Sequence, residues 1–211
     1  LASVLVDVSN GQVVILLILV MITSIVLGMG MPTTVVYILL AALVAPALIG
    51  MGITPLAAHF FFFYFGVLAA ITPPVALASY AAASIAGSPP DKTGWVSFKM
   101  AMPSFIVPFF FALEPSLLLQ GTAFEVIHNS VTAACGIWFF TIAVMGSFNG
   151  RLPLWLRAVF LVAAVALIIP GWATDLIGLA IGLPAVLLRT RGAGRATVTP
   201  TPNTGGPEGE R

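Results

Sequence analysis

The sequence predicts an all-α polytopic membrane protein, from its composition and from one long stretch without charge. The 211 residues are 60% hydrophobic and only 7% charged, whereas a soluble domain needs a more charged surface. From Val8 to Pro90 there is no Asp, Glu, Lys or Arg. Such a stretch suits a bilayer, where one charge at the centre costs about 3 kcal/mol or more. We therefore expect helices that cross or enter the membrane.

The same composition excludes several function classes. A formal net charge of +1 argues against a nucleic-acid partner, which would need a dense basic patch. The chain has no His-Glu-x-x-His motif and no Gly-x-Ser-x-Gly motif, so nothing indicates an enzyme. Glu125 and His128 lie one helical turn apart but are too few ligands for a metal site. We expect no cofactor other than a coupling ion.

Two helix breaks interrupt the uncharged segment. A hairpin over residues 12–49 turns at Gly28–Pro32, and a broken helix over residues 55–86 is interrupted at Ile71–Pro74. Irregular backbone at membrane depth is tolerated where it is buried in protein or lines a cavity. The first turn has no charged residue, which favours a re-entrant hairpin, and two full spans with an apolar turn are the alternative.

The chain becomes more polar after the second break. Trp95 and Phe98 lie three residues apart, and Lys92 and Lys99 lie off their face. This pattern predicts a short helix over residues 91–100 in the membrane interface.

Further apolar helices are expected up to residue 189. They comprise a span at 103–119, a span at 126–145 and a long stretch at 154–188. Because the last is too long for one span, we expect Pro170-Gly171 to divide it into a hairpin. The Gly-, Pro- and Thr-rich tail at 190–211 is predicted to be disordered.

The positive charges predict the orientation. With these spans, three basic clusters fall on one side of the membrane, which the positive-inside rule makes cytoplasmic. The C-terminus is therefore expected in the cytoplasm. The clusters are Lys92 with Lys99, Arg151 with Arg157, and Arg189 with Arg191 and Arg195.

Each break offers uncharged oxygen ligands. Proline removes the hydrogen bond to the carbonyl four residues earlier, so we expect free carbonyls at Gly28, before Pro32, and at Ala69 and Ala70, before Pro73 and Pro74. Such carbonyls can coordinate a small hard cation together with a hydroxyl. The candidate cation ligands are Gly28, Gly30, Ala69, Ala70 and Thr72.

Each break also starts a helix. Thr33 and Thr34 open one, and Thr72 is the predicted N-cap before Pro73 and Pro74. Free N–H groups at a helix start attract anions, so these five residues are the candidate substrate site. Proline kinks that only bend a helix are the alternative, but two breaks with Gly and Thr in one uncharged segment favour a site.

Four motifs stand out in the uncharged segment: Gly28-Met29-Gly30-Met31-Pro32-Thr33-Thr34 with Tyr37, Ala45-Pro46-Ala47-Leu48, Pro55-Leu56-Ala57-Ala58-His59, and Ile71-Thr72-Pro73-Pro74-Val75-Ala76-Leu77-Ala78. These motifs resemble the large membrane subunit of the TRAP (tripartite ATP-independent periplasmic) transporters, and within them the fused permeases of the TAXI type. The resemblance covers roughly residues 1–120.

This resemblance implies an inverted-repeat, elevator-type transporter in the bacterial inner membrane. Residues 1–120 would be its second repeat, and residues 121–189 additional C-terminal transmembrane helices. Na⁺ would drive uptake of an organic acid, a dicarboxylate or an amino acid. The implied partners are a periplasmic solute-binding protein, an upstream repeat and a small membrane subunit. The upstream repeat and the small subunit would be fused to this chain. Because the chain begins at Leu1 and not at a methionine, we interpret it as the C-terminal part of a longer protein.

Three alternatives stay open at this stage. Another ion-coupled anion transporter would share the same breaks. Proton coupling through His59 would replace sodium, although a packing role for that histidine is the simpler interpretation. A non-transporting structural subunit would explain the hydrophobicity but not the breaks.

Overall fold

The computed structural model describes residues 1–148, 150–169 and 171–193. Within these ranges the chain is helical and contains no β-strand, apart from one isolated bridge between Ser147 and Arg151. The prediction of an all-α membrane protein is confirmed. The eleven described helices are α1 (Ala2–Ser9), α2 (Val13–Gly28), α3 (Thr33–Leu43), α4 (Ala45–Gly50), α5 (Pro55–Leu68), α6 (Leu77–Ala86), α7 (Pro90–Ala101), α8 (Val107–Leu113), α9 (Ala123–Met145), α10 (Leu154–Ile168) and α11 (Trp172–Ala193).

The second arm of the predicted hairpin is two helices, not one. α3 ends at Leu43, and α4 begins at Ala45 after Val44, whose φ and ψ are −119° and −35°. Pro46 follows at the first turn of α4, where its missing amide and fixed φ suit a helix start and prevent α3 from continuing.

One helical segment runs from the predicted interfacial helix into the predicted span. α7 continues through a 3₁₀ turn at Met102–Ile106 into α8. The segment ends at Leu113, not at residue 119, because Glu114 is extended before Pro115 (φ −124°, ψ 91°), as the residue before proline prefers.

The first hydrophobic core lies where α2, α3, α5 and α8 meet. Phe61 and Phe65 are fully buried, and each makes an edge-to-face contact with the Phe109 ring. Such edge-to-face contacts add about 1 kcal/mol per pair to the burial of the rings. This core fixes α5, the helix that leads into the second break.

A second core joins α9, α10 and α11. Phe139 and Phe160 are fully buried in it, with ring centroids 5.8 Å apart. α10 ends at Ile168 and α11 begins at Trp172, so these helices are separated at the predicted Pro170-Gly171 position. α11 continues to Ala193, past the predicted start of the disordered tail, and residues 194–211 lie outside the described residues.

Two described segments have the length and hydropathy to cross a bilayer: Pro90–Leu113 and Ala123–Met145. Shorter apolar helices of 10–17 residues accompany them, among them Val13–Gly28 and Leu154–Ile168. The shorter helices include those that meet at the two breaks.

Candidate functional site

The two helix breaks touch each other at Gly28. Gly28 is the buried last residue of α2, and a Cβ atom there would lie 2.8 Å from both the Ala69 Cβ and the Gly66 carbonyl oxygen. Gly30 has a φ of 78°, and a Cβ there would lie 3.9 Å from the Val75 Cγ1. The turn of the hairpin therefore lies against both sides of the second break, and only glycine allows the approach at residue 28.

The start of α3 faces a separate cavity. α3 begins at Thr33, as expected after Pro32, and both Thr33 and Thr34 are exposed. With Tyr37 and Phe63 they line a cavity of about 340 Å³. None of these lining residues belongs to the second break, so the structure does not bring the two threonines together with Thr72.

A tyrosine–histidine pair adjoins this cavity. The Tyr37 hydroxyl lies 3.1 Å from the Nδ1 of His59, and the Tyr37 ring stands edge-on to Phe63, with ring centroids 5.6 Å apart. His59 is half-buried. The pair links the start of α3 to α5.

Thr72 ends a helical turn and does not cap the next helix. After α5, a 3₁₀ turn covers Ala69–Ile71, and the Thr72 hydroxyl donates to the Leu68 carbonyl over 2.8 Å. The predicted N-cap role is wrong because α6 begins only at Leu77, after Ala76 in a left-handed conformation (φ 34°). The Thr72 side chain is 7% exposed and keeps its oxygen lone pairs.

Two of the three predicted free carbonyls lack a backbone donor. Among the described residues, no amide donates to the carbonyl of Gly28 or of Ala70. The prediction for Ala69 is wrong, because the Thr72 amide donates to its carbonyl over 3.1 Å. The 3₁₀ turn uses an i→i+3 bond, which Pro73 does not remove.

The prolines of the second break lie at its surface. Pro73 is half-buried and Pro74 is exposed, with a cis peptide bond between them. The Tyr80 hydroxyl of α6 donates to the Pro74 carbonyl over 2.8 Å. This hydrogen bond ties the loop to the helix that follows it.

Sequence reasoning missed Ser24 and Gly66. Ser24 is fully buried one helical turn before Gly28, and its hydroxyl has no hydrogen-bond partner among the described residues. Gly66 lets α5 approach α3, since a Cβ there would lie 2.7 Å from the Val36 Cγ1. The four-residue spacing from Ser24 to Gly28 was the available signal, because it places both residues on one face of α2.

A second polar cluster lies between the end of α8 and the helices α9 and α11. Asn129 donates to Glu114 over 3.0 Å, and the Nε2 of His128 lies 3.7 Å from an Asp175 carboxylate oxygen. These residues and Glu125 line a cavity of about 460 Å³, which we call the acidic cavity. In the described part of the chain, no three His, Cys, Asp or Glu side chains are arranged to hold a metal ion.

Uncharged oxygen atoms of four residues lie at or beside the two breaks. They are the free carbonyls of Gly28 and Ala70 and the hydroxyls of Ser24 and Thr72, which are ligand types that suit a hard cation. The nearby start of α3 supplies helix N–H groups that suit an anion.

Comparison with known proteins gives a family but no near relative. The family model described as "Tripartite ATP-independent periplasmic transporter, DctM component" matches residues 1–126. No curated protein and no solved structure matches significantly. The matched range contains both breaks and ends at the start of α9. The chain therefore belongs to the DctM family, whose members are multi-pass inner-membrane components of bacterial TRAP transporters and not enzymes.

Proposed function

We propose that the junction of the two breaks binds the Na⁺ ion that drives uptake of an organic acid anion. The observation that carries the proposal is the packing of Gly28 against Gly66 and Ala69. This packing supports the proposal because it brings the end of α2, which carries the Gly28 carbonyl, against the end of α5 and the turn that carries Ala70 and leads to Thr72. Discontinuous helices in membrane transporters bind coupling ions in this way.

The cation ligands in this proposal are the Gly28 and Ala70 carbonyls and the Thr72 hydroxyl. Thr72 already donates its proton to Leu68, so its oxygen lone pairs are left to accept a cation. Gly30 shapes the turn through its left-handed backbone. Ser24 is an additional candidate, because its buried hydroxyl has no partner among the described residues.

The proposed anion site is the start of α3. Thr33 and Thr34 line the 340 Å³ cavity, where their hydroxyls and the first amides of α3 suit a carboxylate. A dicarboxylate or an amino acid is the proposed substrate. We also propose Pro73 and Pro74 as substrate contacts, although neither lines this cavity.

The proposed assembly has three parts. The family implies a periplasmic solute-binding protein and a small membrane subunit as partners. We further propose that the small subunit and an inverted upstream repeat are fused to this chain, as in TAXI-type permeases, and that the C-terminus is cytoplasmic.

Substitution of Thr72 tests the sodium site directly. In the complete transporter, we expect Thr72→Val to abolish the rise in melting temperature that NaCl produces over choline chloride, and to lower sodium-driven uptake at least tenfold. Thr72→Ser keeps a hydroxyl and should retain both. Thr141→Val is the matched control, because the Thr141 hydroxyl makes the same bond to the carbonyl four residues earlier, at Ile137, within α9. A normal sodium response in Thr72→Val would overturn the assignment.

Proton coupling through His59 is the second candidate, favoured by its contact with Tyr37 beside the Thr33 cavity. A proton gradient would then drive uptake in sodium-free buffer, and His59→Gln would abolish it. Sodium-driven uptake that survives His59→Gln would leave the histidine a packing role.

A further inference from the structure

A basic groove lies at the boundary between the helices of the family-matched range (α1–α8) and the C-terminal helices (α9–α11). It is about 550 Å³ in volume and lies between the α7–α8 segment and the turn from α9 to α10. Its walls combine two cations with apolar side chains, and it belongs to neither the break junction nor the acidic cavity. Its main lining residues are Lys99, Met102, Leu154, Arg157, Ala158 and Leu161.

Arg157 is held rigidly in this groove. Its Nε donates to the Ala143 carbonyl over 2.8 Å, and its Nη2 donates to the Val144 carbonyl over 3.1 Å. These bonds satisfy carbonyls in the last turn of α9, where a cation is also favoured by the helix dipole. The guanidinium group is therefore oriented without a carboxylate.

No carboxylate of the described residues compensates the positive charge of the groove. Neither Lys99 nor Arg157 forms an ion pair with any carboxylate of the described residues. A cation beside an apolar wall in a membrane protein requires an anion or water. The groove is thus complementary to a ligand with a negative head and an apolar tail.

The surroundings of the groove mark the headgroup level of the bilayer. Leu154 is 79% exposed, and Met102 and Leu161 are also exposed, so the apolar wall opens outward. Trp95 lies one helical turn before Lys99, and Trp155 follows Leu154, and both tryptophans are exposed. Exposed tryptophans are enriched where headgroups meet acyl chains.

We propose that the groove binds one anionic phospholipid. Its phosphate lies between Lys99 and Arg157, and an acyl chain follows Leu154, Ala158 and Leu161. Basic pockets between membrane helices recognise anionic headgroups in this way. The lipid would join the family-matched helices to the α9–α11 bundle, and the proposal does not depend on the transport site.

Native mass spectrometry of the purified complete transporter tests the proposal. We expect phosphatidylglycerol to bind more tightly than phosphatidylcholine with identical acyl chains. Lys99→Gln should weaken phosphatidylglycerol binding about fivefold, the effect of one cation near a membrane surface. Lys92→Gln is the matched control, because Lys92 is exposed on the same helix but does not line the groove. Arg157→Gln should weaken phosphatidylglycerol binding in the same way. If Arg157→Gln fails to fold, the result for Lys99→Gln alone decides.

Two further measurements distinguish other occupants. Inorganic phosphate should neither bind nor raise the melting temperature, whereas phosphatidylglycerol should raise it. An equal rise with phosphate would assign the groove to a free anion and overturn the lipid proposal. Equal binding of the two phospholipids would also overturn the lipid proposal, and so would equal losses of phosphatidylglycerol binding in Lys99→Gln and Lys92→Gln. Either result is expected if another membrane subunit covers the groove.

Discussion

At the scale of single residues, Gly28 governs the candidate site. A side chain at this last residue of α2 would collide with Ala69 and with the Gly66 carbonyl. Because the contact joins two interrupted helices, the space around Gly28 determines how closely α2 approaches the end of α5 at the breaks. The residue is a positioning residue, since its own side chain offers no ligand.

Replacing Gly28 should therefore separate the breaks. We expect Gly28→Ala to lower sodium-driven uptake at least tenfold while the protein still inserts, since overpacking by one methyl group costs about 1–3 kcal/mol. Gly50→Ala is the control, because Gly50 also ends a helix and has no atom within 4 Å of an added Cβ. Uptake assays of both variants at equal expression decide the question. Wild-type uptake in Gly28→Ala would mean that the contact is not required for transport.

The sequence predicts the local features of the site but not their combination. Proline at 32 and 74 leaves the Gly28 and Ala70 carbonyls without a donor for a local covalent reason, so these predictions agree with the hydrogen bonds observed. Thr72 fails as an N-cap because a 3₁₀ turn and a left-handed Ala76 intervene. For Ser24 the sequence offers only its four-residue spacing from Gly28, since burial of its hydroxyl depends on packing between distant helices.

At the scale of helices, α11 is fixed by two glycines one turn apart. A Cβ at Gly178 would lie 2.6 Å from the Leu167 Cγ of α10, and one at Gly182 would overlap the Phe139 ring of α9. This small-xxx-small spacing lets membrane helices pack closely. The sequence predicted the hairpin of α10 and α11 from its length and its Pro-Gly interruption, but the helix faces in contact become evident only in three dimensions.

Gly182→Val should loosen this bundle. We expect a loss of about 1–3 kcal/mol from overpacking, which corresponds to a fall in melting temperature of roughly 2–12 °C for a chain of this size. Ala180→Val adds two methyl groups to the exposed face of the same helix and should change the melting temperature little. If the two variants melt at the same temperature, α11 does not pack through its glycine face.

At the scale of the whole molecule, the basic groove and the acidic cavity lie at opposite ends of the helices. Lys99 and Arg157 line the basic groove, whereas Glu114 and Asp175 line the acidic cavity. α10 runs from the Arg157 end to the Asp175 end, and α11 returns. The sequence predicted this separation from the basic clusters alone, because the cost of burying charge restricts them to the ends of spans.

This separation predicts the topology of the C-terminus. If basic ends are cytoplasmic, the chain after α11 is cytoplasmic as well, so alkaline phosphatase fused after Arg195 should be inactive and a fluorescent protein fused there should be bright. Fusions after Gly121, beside the acidic cavity residue Gln120, should give the opposite pattern, because that end faces the periplasm. Both reporters must be measured at each position, since a misfolded chain would lower the phosphatase activity and the fluorescence together. Active phosphatase after Arg195 would place the basic groove in the periplasmic leaflet and reverse the orientation of the transporter.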